Sequence, residues 1–146
     1  MNPPIIQRFK DYYSDFDQQS VESLGELYAV DMHFRDPLHQ LDGLEAVQLY
    51  FEELSRDLTH CRFEFLHEMV NASCAYFHWT MHYAHPRIKG GQALSLNGVT
   101  HIRFDDRVLF HEDFYDMGAM LYQHLPLLGW AVRSLNQRLL RGSTRP

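Results

Sequence analysis

The stretch Met32-His33-Phe34-Arg35-Asp36-Pro37 divides two kinds of apolar periodicity, and its reading decides the fold. Upstream, Ile5, Ile6, Phe9, Tyr12, Tyr13 and Phe16 follow the spacing of one helical face, and Pro3 and Pro4 suit a first turn. Val21, Leu24, Leu27 and Tyr28 repeat that spacing from a cap at Ser20, which predicts a second short helix. Within the stretch the helical period is lost. Pro37 disfavours the helical region for the residue before it, so the Asp36 carboxylate sits on stiff, extended backbone.

Downstream, a third helix is predicted from Asp42, whose side chain can cap while Glu45 reaches back as in a capping box. Leu44, Val47, Tyr50, Phe51 and Leu54 form its buried face. From Cys61 to Tyr115 the pattern is strand-like, with strands predicted at 61–70, 74–84, 94–104 and 107–116. Asn71-Ala72, the loop from Pro86 to Gly91, and Asp105-Asp106 separate them. Residues 117–146 return to helix, broken at Pro126, as a C-terminal helical extension with a basic tail. Helices followed by a meander indicate α+β: a curved antiparallel sheet with the N-terminal helices on its concave face, in one domain spanning 1–146.

Composition narrows the function. The chain has 146 residues and a net charge of −6, with 14% aromatic residues, so it can enclose a core but offers no broad basic face for nucleic acid. Cys61 and Cys74 lie in apolar stretches without metal-ligand spacing and are expected to be free thiols. The N-terminal residues lack the pattern of a signal peptide and no run is long enough for a membrane span, so a cytoplasmic location is expected.

Strand alternation points Phe77, Trp79, Met81 and Tyr83 inward and His78, Thr80 and His82 outward. In the last strand His111, Asp113 and Tyr115 share one face while Phe110 and Phe114 share the other. If the polar trio faces a cavity, the aromatic face is available to a second subunit, and a homodimer is expected.

The segment Phe34-Arg35-Asp36-Pro37, the helix start at Gly43, and the order helix, helix, Asp-Pro, helix, four strands resemble the nuclear transport factor 2-like superfamily. Its SnoaL-like and ketosteroid isomerase-like members are most similar, over about residues 5 to 116. The resemblance implies a cone-shaped fold that hosts isomerases, cyclases, dehydratases and pure binding modules. It also implies that Asp36 matches the aspartate acting as general base in ketosteroid isomerases. Two departures stand out. Phe9 follows Gln7-Arg8 where the family has its oxyanion-hole tyrosine, and Thr100 precedes His101-Ile102-Arg103-Phe104 where it has a protonated aspartate. With both donors absent, steroid isomerisation is disfavoured.

The candidate catalytic residues are therefore Asp36 as base, with His111, Asp113 and Tyr115 as proton or hydrogen-bond donors. Phe9, Tyr13, His39, Phe77, Trp79, Met81 and Thr100 are candidate ligand contacts. No metal is expected: on a strand His78 and His82 stand about 13 Å apart, and the alternative of an ion on His111, Asp113 and Asp36 lacks a further nitrogen or sulfur ligand. No nucleotide-binding loop is present, so no cofactor is expected. The expected function is binding of a small apolar or aromatic carbonyl compound, with cofactor-independent isomerisation, dehydration or cyclisation; the alternative is a non-catalytic ligand-binding or dimeric interaction module. The C-terminal extension is expected as a lid or a dimer element, with an amphipathic membrane contact as the lesser reading.

Overall fold

In the computed structural model, residues 2–119 are described together with Arg138 and Leu139. Helix α1 (Pro4–Ser14) forms where the spacing predicts it, with Pro4 at its first position and Ile5, Ile6, Phe9, Tyr12 and Tyr13 buried. A 3-10 turn (Phe16–Gln18) follows. The next helix, α2, is only Leu24–Leu27, shorter than predicted, and Tyr28 already begins a strand. The cap position of α2 is Ser23, without a side-chain cap, and not Ser20 as expected; Ser20 Oγ instead accepts the Ser23 N–H at 3.3 Å in the turn that precedes the helix.

The Phe34-Asp36 region proves to end a strand, β1 (Tyr28–Arg35), which pairs with a three-residue strand, β2 (Gln40–Asp42). Helix α3 (Leu44–Asp57) then starts differently from expectation. Its cap position is Gly43 at φ 94°, without a side-chain cap, because Asp42 is held in β2 with its Oδ1 on His33 Nδ1 (2.7 Å) and Arg35 Nη1 (3.2 Å). The positive φ suits a residue without Cβ.

Strands β3 (His60–Val70), β4 (Cys74–Ala84), β5 (Leu94–Phe104) and β6 (Val108–Tyr115) match the predicted meander to within a residue or so at each end. Asn71 Oδ1 closes the first turn by accepting the Ser73 and Cys74 N–H groups. Among the described residues the sheet has six strands in the order β2-β1-β6-β5-β4-β3. It is antiparallel except where β1 runs parallel to β6, which corrects the purely antiparallel expectation. The parallel pair arises because the chain leaves β1 on one side and returns to it only after the whole meander.

The sheet curves around α1 and α3 as a cone. Phe77, Trp79 and Tyr83 of β4 are buried as alternation predicts, and Met81 is half-buried. Trp79 can lie flat across β5 because its neighbour there is Gly98; a Cβ at that position would fall on the indole ring. Cys61 is buried, Cys74 half-buried, and both are free. On the convex side Phe114 and Tyr76 are about half exposed, and Phe110 lies under Arg103. No helix among the described residues is long and apolar enough to cross a membrane. The C-terminal extension, with its proposed lid, dimer and membrane roles, lies outside the described residues apart from 117–119, Arg138 and Leu139.

Candidate functional site

Between α3 and the concave sheet lies a cavity of about 360 Å³ whose wall is mainly aromatic, with Phe16, Phe34, Phe51 and Phe63 among its residues. Polar groups enter it from three elements. Asp36 arrives from the end of β1, Tyr50 from α3, and Asp113 and Tyr115 from β6.

Asp36 is held by the turn it begins. Its Oδ1 accepts the backbone N–H groups of Leu38 (2.8 Å) and His39 (2.7 Å), and His39 Nδ1 lies at 3.0 Å. The Asp-Pro pair therefore builds an Asx-type turn as well as presenting a carboxylate. Oδ2 keeps weaker company: His39 Nδ1 at 3.2 Å and the Tyr50 hydroxyl, which donates at 3.3 Å. The side chain is only 2% exposed. His39 stacks on Tyr50 with ring centroids 4.2 Å apart and stands behind the wall.

Asp113 is positioned by a buried chain of hydrogen bonds. Its Oδ1 lies 2.7 Å from His111 Nε2 and accepts the Thr100 hydroxyl at 2.5 Å; Thr100 Oγ1 in turn accepts the Trp79 indole N–H at 2.7 Å. On the other side of the imidazole, Nδ1 lies 2.7 Å from the Tyr28 hydroxyl, which is 2.6 Å from that of Tyr13. With Asp113 ionised and one proton on the ring, the directions are fixed. His111 Nε2–H donates to the carboxylate, Tyr28 donates to Nδ1, and Tyr13 donates to Tyr28. No described group bonds Asp113 Oδ2, and the side chain is 18% exposed.

The tyrosines are strongly biased toward their neutral forms. Burial, followed by the charges of Asp36 and Asp113, raises Tyr115 far above the ordinary phenol value. Burial and the nearby Asp36 carboxylate do the same for Tyr50. Desolvation likewise raises Tyr13 and Tyr28, both of them buried. The Tyr115 hydroxyl makes no hydrogen bond among the described residues, so it is a protonated donor without a fixed acceptor.

Six of the sequence candidates thus form cavity wall: Asp36, Asp113, Tyr115, Tyr13, Trp79 and Met81. The structure places the other five behind it. His111 is 1% exposed with both ring nitrogens engaged, and Phe9 stacks on Phe77 at 5.1 Å. Thr100 is committed to Asp113, and His39 to Asp36. These side chains stand outside the described cavity wall, and four of them pack or hydrogen-bond against residues that form it. Tyr28 escapes a reading of the sequence because the helical spacing continues through it, and Tyr50 because the same spacing places it only on a buried helix face. Among the described residues no group of three His, Cys, Asp or Glu side chains could hold a metal ion.

Solved structures with the same architecture share little sequence with this chain. A protein of ketosteroid isomerase-like fold from Catenulispora acidiphila, in complex with trimethylamine, superimposes with a TM-score of 0.72. The identity is 12%, and the match covers 85% of this chain and 94% of that one. A proposed SnoaL-like polyketide cyclase from Shewanella putrefaciens gives 0.71 at 18% identity, covering 84% and 94%. TerC, co-crystallised with polyporic acid, gives 0.67 at 16% identity, covering 81% and 95%. No curated protein matches the chain. The SnoaL-like domain family matches residues 9–112, from the middle of α1 into β6, and the chain belongs to that family.

Proposed function

We propose that this chain binds a small apolar or aromatic carbonyl compound in the cone and moves a proton on it without a cofactor, as an isomerase, dehydratase or cyclase would. The observation that carries this reading is the presence of Asp36 and Asp113 on the wall of one aromatic cavity, with the Tyr115 hydroxyl subject to both charges. The Asp-Pro motif and its family resemblance point to Asp36 as the base. The hydrogen-bond inventory favours Asp113, because its Oδ2 has no described partner whereas Asp36 Oδ1 is saturated by the turn.

Asp113 Oδ2 takes the proton from the carbon next to the substrate carbonyl. Charge then develops on the carbonyl oxygen, and Tyr115 donates a hydrogen bond to it. Asp36 holds the Tyr50 hydroxyl and keeps a second negative charge near the site. The proton returns from Asp113 to the same carbon or another. General acid–base transfer of this kind contributes roughly 10²–10⁴-fold. The likenesses to structures holding trimethylamine and polyporic acid support a ligand-binding cone.

The test uses 4-acetylbiphenyl in D₂O, with loss of the acetyl methyl signal followed by proton NMR. Protein-dependent exchange is expected. Binding without exchange would overturn turnover and leave carriage, the second reading, which gains support from the hydroxyl-free Phe9 ring packed on Phe77. A homodimer through the convex face belongs to the same proposal. The half-exposed Phe114 and Tyr76 support it, and light scattering measures it.

A further inference from the structure

At the end of the cone away from Asp113, Tyr83 is 2% exposed and forms part of the cavity wall. It continues the inward row of β4 that runs through Ala75, Phe77, Trp79 and Met81, so it projects from the concave face. Its hydroxyl is buried and finds no hydrogen-bond partner among the described residues. A buried hydroxyl left unbonded keeps its desolvation cost with nothing to offset it. The surrounding wall does not relieve it. Leu96, Ile88 and Leu58 are apolar, His85 accepts the Arg87 N–H on its Nδ1, and burial, with Asp17 nearby, pushes the Cys61 thiol up to about 12.

From these observations we infer that Tyr83 is the donor of a second binding subsite, one that takes a neutral oxygen acceptor at the tail of an elongated ligand whose carbonyl lies against Asp113 and Tyr115. Register sets the length. Tyr115, the donor to the carbonyl oxygen, is level with Gly98 and, through it, with Trp79; Tyr83 lies four residues further along β4, roughly 13 Å of strand rise. Asp57 also borders the cavity at that end, so an ether, ketone or hydroxyl oxygen suits the subsite better than a carboxylate tail. The ligand class is therefore a rod-like aromatic compound with one oxygen function at each end. Burial holds the Tyr83 phenol in its protonated, donating form.

This inference rests on the cavity's taking an apolar carbonyl compound. The experiment compares 4-acetyl-4′-methoxybiphenyl with 4-acetyl-4′-ethylbiphenyl, which are matched in shape but differ in the tail oxygen, by binding to the full chain and to Tyr83→Phe. Unmodified protein should prefer the methoxy compound by about fivefold, the worth of one net hydrogen bond. Tyr83→Phe should lose that preference while holding the ethyl compound as before, and should melt no lower than the parent. Equal affinity of the parent for both probes, or a preference surviving in Tyr83→Phe, overturns the subsite and leaves the cavity reading intact. Failure of both probes to bind the parent overturns both. A clear drop in melting temperature for Tyr83→Phe would mean the hydroxyl is already satisfied in the free protein, which also overturns the subsite.

Discussion

His111 Nε2 and Asp113 Oδ1 stand 2.7 Å apart, two residues apart on one face of β6. This contact joins a fully buried imidazole to a carboxylate that reaches the cavity. It converts an alternating strand pattern into a device that fixes which oxygen of Asp113 is free.

Asp113→Asn should preserve the fold, because the amide oxygen still accepts from His111 and Thr100. It removes the basic oxygen, so exchange on 4-acetylbiphenyl should fall at least about a hundredfold. Asp36→Asn keeps an acceptor for the Leu38 and His39 N–H groups and should reduce the rate less. The two rates, measured side by side, decide which carboxylate is the base; the reverse order would return that role to Asp36.

Tyr28→Phe leaves His111 Nδ1 and the Tyr13 hydroxyl without their shared partner. We expect a loss of about 2 kcal/mol in urea unfolding. Tyr13→Phe, which leaves the Tyr28 to His111 bond in place, should cost about half as much. Nitrogen-15 shifts of His111 should show Nδ1 losing its hydrogen bond in Tyr28→Phe while the ring proton stays on Nε2, facing Asp113.

Much of this arrangement is legible in the sequence. The inward set Phe77, Trp79, Met81 and Tyr83 follows from alternation alone, and the grouping of His111 with Asp113 follows from a two-residue period. Depth does not follow, because alternation says which face a side chain takes and not whether it reaches the cavity or stops behind its wall; His111 and Asp113 differ in just this way. Strand β1 was hidden for another reason. Its burial alternates poorly, and its pairing with β6 is irregular between Tyr28 and His33, so no clean two-residue period is written there. Strand β2 and the Gly43 start of α3 depend on which group captures Asp42, and that is a tertiary outcome.

Gly98→Ala places a methyl group where the Trp79 ring lies, with the Phe114 carbonyl 2.9 Å away on the other side. The indole must move, and its bond to Thr100 goes with it. Destabilisation of about 1–3 kcal/mol is expected, as for other overpacked sites. Loss of the Trp79 indole N–H resonance from its hydrogen-bonded position would report the displacement directly.

Alkaline stability should fall sharply. Tyr13, Tyr28, Tyr50 and Tyr115 all have folded-state values raised above the unfolded value near 10. For a raised group the stabilisation is complete below the unfolded value and is lost as pH rises toward the folded one, because the unfolded chain releases protons first. Unfolding free energy should therefore decline above about pH 10. Phenolate absorbance from these residues should appear together with unfolding instead of ahead of it.

Thiol chemistry should separate the two cysteines. Cys61 is buried and raised to about 12, so it should resist a disulfide reagent at neutral pH until the protein unfolds. Cys74, half-buried at the start of β4, should react in the native state.

The parallel seam between β1 and β6 sets Phe34 opposite His111. Apart from tiny β2, the first strand made has no hydrogen-bonded neighbour until the sixth has been synthesised, some eighty residues later. Asp36 and Asp113 can therefore share a cavity wall only once β6 has been made. Any truncation before Val108 would leave β1 and β5 with open edges, and with them a sheet ready to pair with another chain.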